Sequence, residues 1–425
     1  MRTILAILAI AANRGWQVHH LDVKTAFLNG DLEEEVYVSQ PEGFEVKGKE
    51  KYVLELSKAL YGLRQAPRAW NIKLDKSLKN LKFSKCACEP AVYTRGSGEN
   101  ALILGMYVDD LLVTGSSPVE IMKFKTEMTT QFEMSDLGLL SFYLGVEVDQ
   151  QQDFVTLKQS SYAKKILKQF GMSESNSTKI PMEPGIKLHQ DKSGEPVDAT
   201  EYRKMVGCLR YLLHTRPDLA FSVGMVSRFM KRPTVMHLKA IKQILRYLGK
   251  VEMGLVYTQH GGDEVLVGYT DSDLSGDVVG RRSTGGMAFY LNDNLITWCS
   301  QKQRTVALSS CESEFMAATG AAMQALWLRN LLSELTSTKA KVVTMYVDNN
   351  SAIALMKNPV FHGRSKHIDT RYHFIRECIE RGQVVAKRVC TKEQKADSLT
   401  KALPAWSLMV MRHLLGVRDL SALQG

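Results

Sequence analysis

The feature that most restricts the fold lies at residues 101–113, where two apolar runs enclose a pair of acids. Ala101 to Met106 has the composition of a buried strand, Tyr107-Val108-Asp109-Asp110 interrupts it, and Leu111-Leu112-Val113 resumes it before Thr114-Gly115-Ser116. Short apolar runs bounded by turn residues pair as a hairpin, which puts both acids at the tip. Adjacent carboxylates between apolar strands repel one another, so without a cation one takes up a proton or the hairpin is destabilised. A divalent metal relieves the conflict; an acidic tip facing water is the plainer alternative. Trp16 to Leu21 reads as a further strand that runs into Asp22. Brought alongside Asp109 and Asp110, Asp22 would complete a set of two or three carboxylates able to hold a pair of Mg²⁺ ions.

The chain has 425 residues, enough for several domains each with its own core. Its net charge of +10 is concentrated: residues 151–250 hold 18 Lys and Arg against 8 Asp and Glu, and the remainder balances. That block is either a solvated Lys-rich surface or a surface for a polyanion. Seven scattered cysteines include only one close pair, Cys86 and Cys88, with no second pair at zinc spacing, so a reduced, intracellular setting is expected. Met1 to Ala12 resembles a short signal peptide, but Ile4, Leu5, Leu8 and Ile10 also fit a buried helix that stops at Asn13-Arg14-Gly15, and a chain that is not secreted is the preferred reading. No apolar stretch of 18 residues follows, so no membrane span is expected.

A second acidic pattern begins after the helical stretch Met236 to Leu248 and the break at Gly261-Gly262. Val265 to Thr270, Gly286 to Leu291 and Leu295 to Cys299 read as strands, the last two joined by an Asn292-Asp293-Asn294 turn. A long helix is predicted from about Ser310 to Leu335, then a strand at Val342 to Val347, a short helix, a helix from Ile368 to Glu380, a strand at Val384 to Val389 and a last helix from Ala396. This is the element order of a ribonuclease H fold. Asp271, Glu314, Asp348 and Asp397 fall on separate elements, and four such carboxylates can converge on two metals. Taken singly, each acid reads equally well as a cap or turn residue.

Three motifs carry a resemblance in the first part: LDVKTAFLNGDLEEEVYVSQPEGF from Leu21 to Phe44, KALYGLRQAPRAW from Lys58 to Trp70, and YVDD from Tyr107 to Asp110. Together they resemble the reverse transcriptase of copia-type retrotransposon Pol polyproteins. GYTDSD, RRSTGG, ALSSCESEFMAA, YVDNNSAIAL, KHIDTRYHFIRE and ADSLTKAL extend the likeness to that family's ribonuclease H, so that nearly the whole chain is covered. The fold implied is α+β and α/β: a reverse-transcriptase palm with its fingers largely missing and a helical thumb or connection, then a ribonuclease H-like mixed five-stranded sheet with helices. The corresponding segments are 1–150, 151–260 and 261–405, with 406–425 as a C-terminal tail.

The resemblance implies that Asp22 and Asp109 bind metal in the palm, with Asp110 as a less strictly required neighbour. Phe27 matches the bulky position that excludes a ribose 2′-OH; a core aromatic is its plainer reading. Gly62, Gln65 and Arg68 fall in a template- and nucleotide-positioning loop, and Gly lets a backbone approach closely there. Phe142 to Val148 resembles the hairpin that grips a primer terminus, and Lys164 and Lys165 begin a basic thumb-like helix. In the second part the match makes Asp271, Glu314, Asp348 and Asp397 metal ligands, with Glu312 as second choice to Glu314. The cofactor implied is Mg²⁺ or Mn²⁺, two per active site, and the partners are an RNA template, an RNA/DNA hybrid and dNTPs. Leu274 stands where the family often has Trp, and Cys311-Glu312-Ser313-Glu314 where it has Thr-Glu-Ala-Glu, but no carboxylate is lost. His367 and His373 precede the fifth strand and read as structural or substrate-contacting. Because the family carries a longer region ahead of Asp22, polymerisation by this chain alone is expected to be impaired and ribonuclease H to survive better. A catalytically inactive element remnant that binds nucleic acid is the alternative.

Overall fold

The computed structural model describes residues 1–249, 252–357 and 369–423. They divide into two compact units, one formed by Trp16–Leu140 with Glu334–Ser337, the other by Met1–Gly15, Ser141–Ser333 and Thr338–Gly425.

The smaller unit is built on a six-stranded antiparallel sheet in the spatial order Ser84–Lys85, Val92–Arg95, Leu102–Tyr107, Asp110–Gly115, Val18–Val23, Met134–Leu139. Leu21 and Val23, Leu102 and Leu104, and Leu111 and Val113 sit at alternate positions and therefore share one face. Trp70, Leu74 and Leu78 of the helix Ala66–Asn80 and Ile121, Phe124 and Met128 of the helix Pro118–Thr129 cover that face. Each of these large side chains contributes on the order of 1.5–3 kcal/mol by leaving water. The second helix starts where Ser117 accepts a hydrogen bond from the Glu120 amide at 3.3 Å, with Pro118 in the first turn.

In the larger unit the helix Arg2–Arg14 is buried on nearly every side, the pattern of a core helix rather than a surface one. Gly15 ends it at φ 65°, donating its amide to Ala11 and Ala12 carbonyls. A second sheet, antiparallel throughout, runs Val417–Asp419, Met253–Thr258, Phe154–Lys158, Val146–Gln150, Phe142–Tyr143. The helices Ser160–Gln169, Ala199–Leu212, Ala220–Val226 and Val235–Tyr247 share a core with Leu403, Leu408 and Met411. The third sheet has the order Asn294–Lys302, Thr284–Leu291, Leu266–Ser272, Val343–Val347, Val384–Arg388; the first three strands are antiparallel and the last two join in parallel.

Three expectations need correction. Residues 406–425 are not a tail: the helix Ala405–Leu414 buries Leu408 and Met411, and Val417–Asp419 pairs with Met253–Leu255. The helix expected from Ala396 is a single tight turn, Asp397–Leu399, and helix resumes only after Pro404. Proline lacks the amide a helix interior needs and disfavours the α conformation in the residue before it, so one helix cannot run through. A boundary at residue 150 also fails, because Val146–Gln150 pairs with Phe154–Lys158 and Arg2–Arg14 packs within the larger unit. Among the described residues no helix is long and apolar enough to cross a membrane.

The helical core holds a buried ion pair. Arg216 donates from Nε and Nη2 to the two Asp218 oxygens at 2.9 and 2.8 Å, and Tyr247 Oη donates to Asp218 Oδ2 at 2.8 Å. Burial alone would push the Asp218 carboxyl up, but the Arg216 guanidinium outweighs it and holds the group below the usual range. Arg216→Met strands a buried carboxylate and is expected to cost about 3–5 kcal/mol in urea unfolding at neutral pH, most of which Arg216→Met with Asp218→Leu recovers. Since the folded-state value is depressed, the pair's contribution is present above the ordinary carboxyl range and lost as pH falls through the depressed value. A single variant as stable as the parent would remove the pair from the list of contributors.

Candidate metal centres

In the smaller unit the antiparallel register sets Asp22 directly opposite Asp110, and the Asp109 carbonyl accepts from the Val23 amide at 2.9 Å. The three acids therefore meet at one end of the sheet. Their hairpin turns through Val108 at φ 58°, a left-handed conformation that costs a β-branched residue of order 1–3 kcal/mol. Trp70 holds the turn, its Nε1 donating to the Val108 carbonyl at 2.7 Å. His20, two residues before Asp22 and so on the same face, lies 2.7 Å from Asp110 Oδ1 through Nε2. Burial, then the Asp109 and Asp110 carboxylates, push the Asp22 carboxyl above its ordinary value.

The neighbouring residues fall into separate places. Phe27 lies in the tight turn Ala26–Asn29 with its ring 4.7 Å from that of Tyr61. Gly30 lets this turn dock on the helix Ala66–Asn80, since a Cβ there would come within 2.7 Å of the Trp70 amide nitrogen. Gly62 takes φ 97°, open to glycine and closed to most other residues. Gln65 and Arg68 line a cavity of about 410 Å³ with Asp31 and Lys73, a space that neither Phe27 nor Gly62 borders. Lys164 and Lys165 belong to the larger unit, exposed on Ser160–Gln169; Lys164 sits 3.5 Å from Glu252.

In the third sheet Asp271 lies near the end of Leu266–Ser272, and Asp348 follows the parallel neighbour Val343–Val347. Both acids thus emerge at the carboxyl ends of adjacent strands. The long helix Ser310–Thr336 adds Glu314, and oxygens of Asp271, Glu314 and Asp348 lie within 4.8 Å of one another. Glu312 is engaged elsewhere: its Oε2 accepts from the Leu308 amide at 2.9 Å while its own amide donates to Ser309 Oγ at 3.2 Å, so it helps close the helix N-terminus. Asp397 stands in the turn Asp397–Leu399 with Oδ1 2.5 Å from Lys401 Nζ. That turn rests on Gly286, which pairs with Asp271 across the strands; a Cβ on Gly286 would come within 2.8 Å of Thr400. From there Thr400 Oγ1 donates to Asp271 Oδ2.

Glu314 Oε1 accepts from the Ser272 amide at 3.0 Å, while the buried Oε2 has no hydrogen-bond partner among the described residues. Burial, then Asp271 and Asp348, pushes the Glu314 carboxyl up to about 9. Burial likewise pushes Asp271 up to about 6 and raises Asp348. An all-carboxylate oxygen set with a spare buried oxygen fits a hard divalent cation such as Mg²⁺ or Mn²⁺.

Residues 1–184 match the family model described as reverse transcriptase (RNA-dependent DNA polymerase). The chain is 40% identical, over 99% of its length, to the retrovirus-related Pol polyprotein from transposon TNT 1-94 of Nicotiana tabacum, and 36% identical over 98% of its length to that from transposon RE1 of Arabidopsis thaliana. It belongs to the copia-type retrotransposon Pol family. The chain spans about a third of these relatives, 32% of the first and 28% of the second. The fold of this Pol chain is also similar to the foamy viral protease-reverse transcriptase solved in complex with dsDNA, at a TM-score of 0.51 and 14% identity over 88% of this chain and 68% of that one.

Sequence reasoning missed the residues that brace the acids of the Pol chain. The Asp397–Lys401 spacing of four was readable as a pair, and Gly286 stood inside RRSTGG, but nothing marked Thr400, Ser272, Trp70 or His20 as braces, because each acts on a residue of another element: Thr400 on Asp271, Ser272 on Glu314, Trp70 on Val108 and His20 on Asp110. His373 lies on the helix Asp369–Glu380, outside the acid trio, and His367 lies outside the described residues.

The crowded acids of the Pol chain predict a pH signature. Because Glu314 keeps its proton to higher pH in the folded chain, the metal-free protein loses stability as pH rises from the ordinary carboxyl range, near 4 to 5, towards about 9. Glu314→Gln removes that slope, and in EDTA at the alkaline end it is expected to unfold about 2–4 °C above the parent for each kcal/mol relieved. Saturating Mg²⁺ flattens the parent's profile and moves the variant less. Thermal melts of both across this range decide it; parallel profiles in EDTA would contradict the assignment.

Proposed function

We propose that this Pol chain carries two metal-dependent phosphoryl-transfer centres, one for RNA-directed DNA synthesis and one for cutting the RNA of an RNA/DNA hybrid. The observation that supports the reading best is the convergence of Asp271, Glu314 and Asp348 from two strands and a helix. Similarity to reverse transcriptases over residues 1–184 supports the other half.

In the ribonuclease centre Asp271, Glu314, Asp348 and Asp397 would hold two Mg²⁺ or Mn²⁺ ions. Bound there, such ions supply an activated water and charge stabilisation for the departing oxygen. The chain's own residues fix the ligand geometry. Thr400 ties down one oxygen of Asp271, the Ser272 amide holds Glu314 Oε1 and leaves Oε2 towards the cluster, and Lys401 steadies Asp397. Such bracing matters because phosphoryl transfer is governed by positioning and charge more than by covalent chemistry. In the polymerase centre Asp22 and Asp109 would take the same part, with Asp110 steadied by His20. Phe27 would face the sugar of an incoming dNTP, Gly62, Gln65 and Arg68 would position template and nucleotide, and Lys164 and Lys165 would meet duplex phosphates.

The test is a hybrid with a recessed DNA 3′ end, labelled on both strands and incubated with dNTPs with and without Mg²⁺. Asp348→Asn is expected to lower RNA cutting at least about 100-fold, a loss typical of a removed transition-state contact, without changing hybrid affinity. Asp109→Asn is expected to abolish primer extension and leave cutting intact. Retained cutting in Asp348→Asn would overturn the ligand assignment. Binding with neither product in the parent chain would favour an inactive remnant.

A further inference from the structure

We infer that a cavity of about 620 Å³ in the larger unit, between the helices Arg2–Arg14, Ala199–Leu212 and Ala220–Val226 and the edge strand Asn294–Lys302, binds a phosphate-bearing ligand of nucleotide size. It is separate from the acid cluster: none of Asp271, Glu314, Asp348 or Asp397 lines it. Arg2, Arg210, Arg228, Lys302 and His214 line it, and among the described residues no Asp or Glu does. Part of this charge is already offset. Lys302 lies 2.6 Å from Asp277, Arg2 donates to Gln324 Oε1 at 2.9 Å, and Asp277 and Asp273 act on Arg228 from behind the wall.

Arg210 is exposed, and among the described residues its side chain makes no hydrogen bond or ion pair. Arg228 spends Nη2 on Thr284 Oγ1 at 3.0 Å, and among the described residues its buried Nη1 has no partner. The buried Nδ1 of His214 has none either. Leaving a buried polar atom unpaired costs about 1–3 kcal/mol, so both side chains gain by turning towards a ligand that enters the cavity. An arginine fork beside a second arginine suits a phosphate, which accepts from several directions at once. The volume exceeds what one phosphate fills and falls in the range of small-ligand sites. Half-buried Trp298 also lines it and offers the kind of surface on which a base stacks. The phosphate can come from a free nucleotide or from a nucleic-acid strand passing over the edge strand. The second source rests on the proposed function above; the first does not.

The test uses the full chain in EDTA, where neither metal-dependent reaction runs, so failure of the catalytic reading leaves the result untouched. Inorganic phosphate and dAMP are titrated by calorimetry, and a 20-nucleotide DNA strand by fluorescence anisotropy. Arg210→Glu, at an exposed position, is compared with Lys239→Glu, which changes the charge equally on an exposed position outside the cavity; Arg228→Gln is the buried companion. Arg210→Glu is expected to weaken at least one probe about 10-fold or more, the scale of a lost charge-assisted hydrogen bond, while Lys239→Glu leaves that probe within about twofold. A loss confined to the strand assigns a nucleic-acid backbone as source, and a loss shared with dAMP assigns a nucleotide. Equal effects of the two variants on every probe would overturn the inference, whatever Arg228→Gln does to folding.

Discussion

Mutual repulsion among buried carboxylates is the constraint around which the larger unit is organised. Asp271, Glu314 and Asp348 bring oxygens within 4.8 Å of one another, the first two buried and the third half-buried. An arrangement so unfavourable survives only where rigid elements leave the side chains no alternative. Two parallel strands fix the separation of the aspartates, the long helix lays Glu314 against them, and the turn after Ala396 is pressed onto Gly286 so that Thr400 reaches Asp271. The same economy governs the smaller unit, where a left-handed Val108 is held by the Trp70 indole and an antiparallel register places Asp22 against Asp110.

Much of this was legible before any coordinates. The apolar runs around Asp109 and Asp110 specify a hairpin, because that pairing buries both runs, and the order of elements from Val265 to Glu380 is recovered with shifts of a few residues. Glu314 and Glu312 could not be separated by spacing alone, since both lie in the first turns of one helix; the structure distinguishes them by where the side chains go, one to the cluster and one to the helix cap. What stayed hidden depends on long-range packing. Residues 406–425 are rich in apolar residues, but only their pairing with Met253–Leu255 shows where Val417 and Leu420 are buried. The helix expected from Ala396 is cut short for a local reason that the sequence carries, Pro404.

The charge asymmetry has also acquired a location. Part of the basic block is consumed internally, by Arg216 on Asp218 and Lys164 near Glu252. Other members, including Lys165 and Arg210, are left on the surface. A net count therefore overstates how much of the block is free to meet a polyanion, and understates how specifically individual residues are placed.

The helix Arg2–Arg14 and the strand Val417–Asp419 lie in one compact unit although some 400 residues of chain separate them, and the smaller unit is threaded between the first of them and Ser141. During synthesis the 16–140 segment can collapse as soon as it emerges, since its sheet and both covering helices are close in sequence. The larger core has to wait, its buried first helix without its partner strands until Phe154–Lys158, Met253–Thr258 and Asn294–Lys302 arrive, and its second sheet without an edge until Val417–Asp419 does. Late closure of this kind makes folding slow and leaves apolar surface exposed in the meantime. A ribosome pause or a premature stop beyond residue 140 would then yield an ordered smaller unit trailing a sticky, unfinished one.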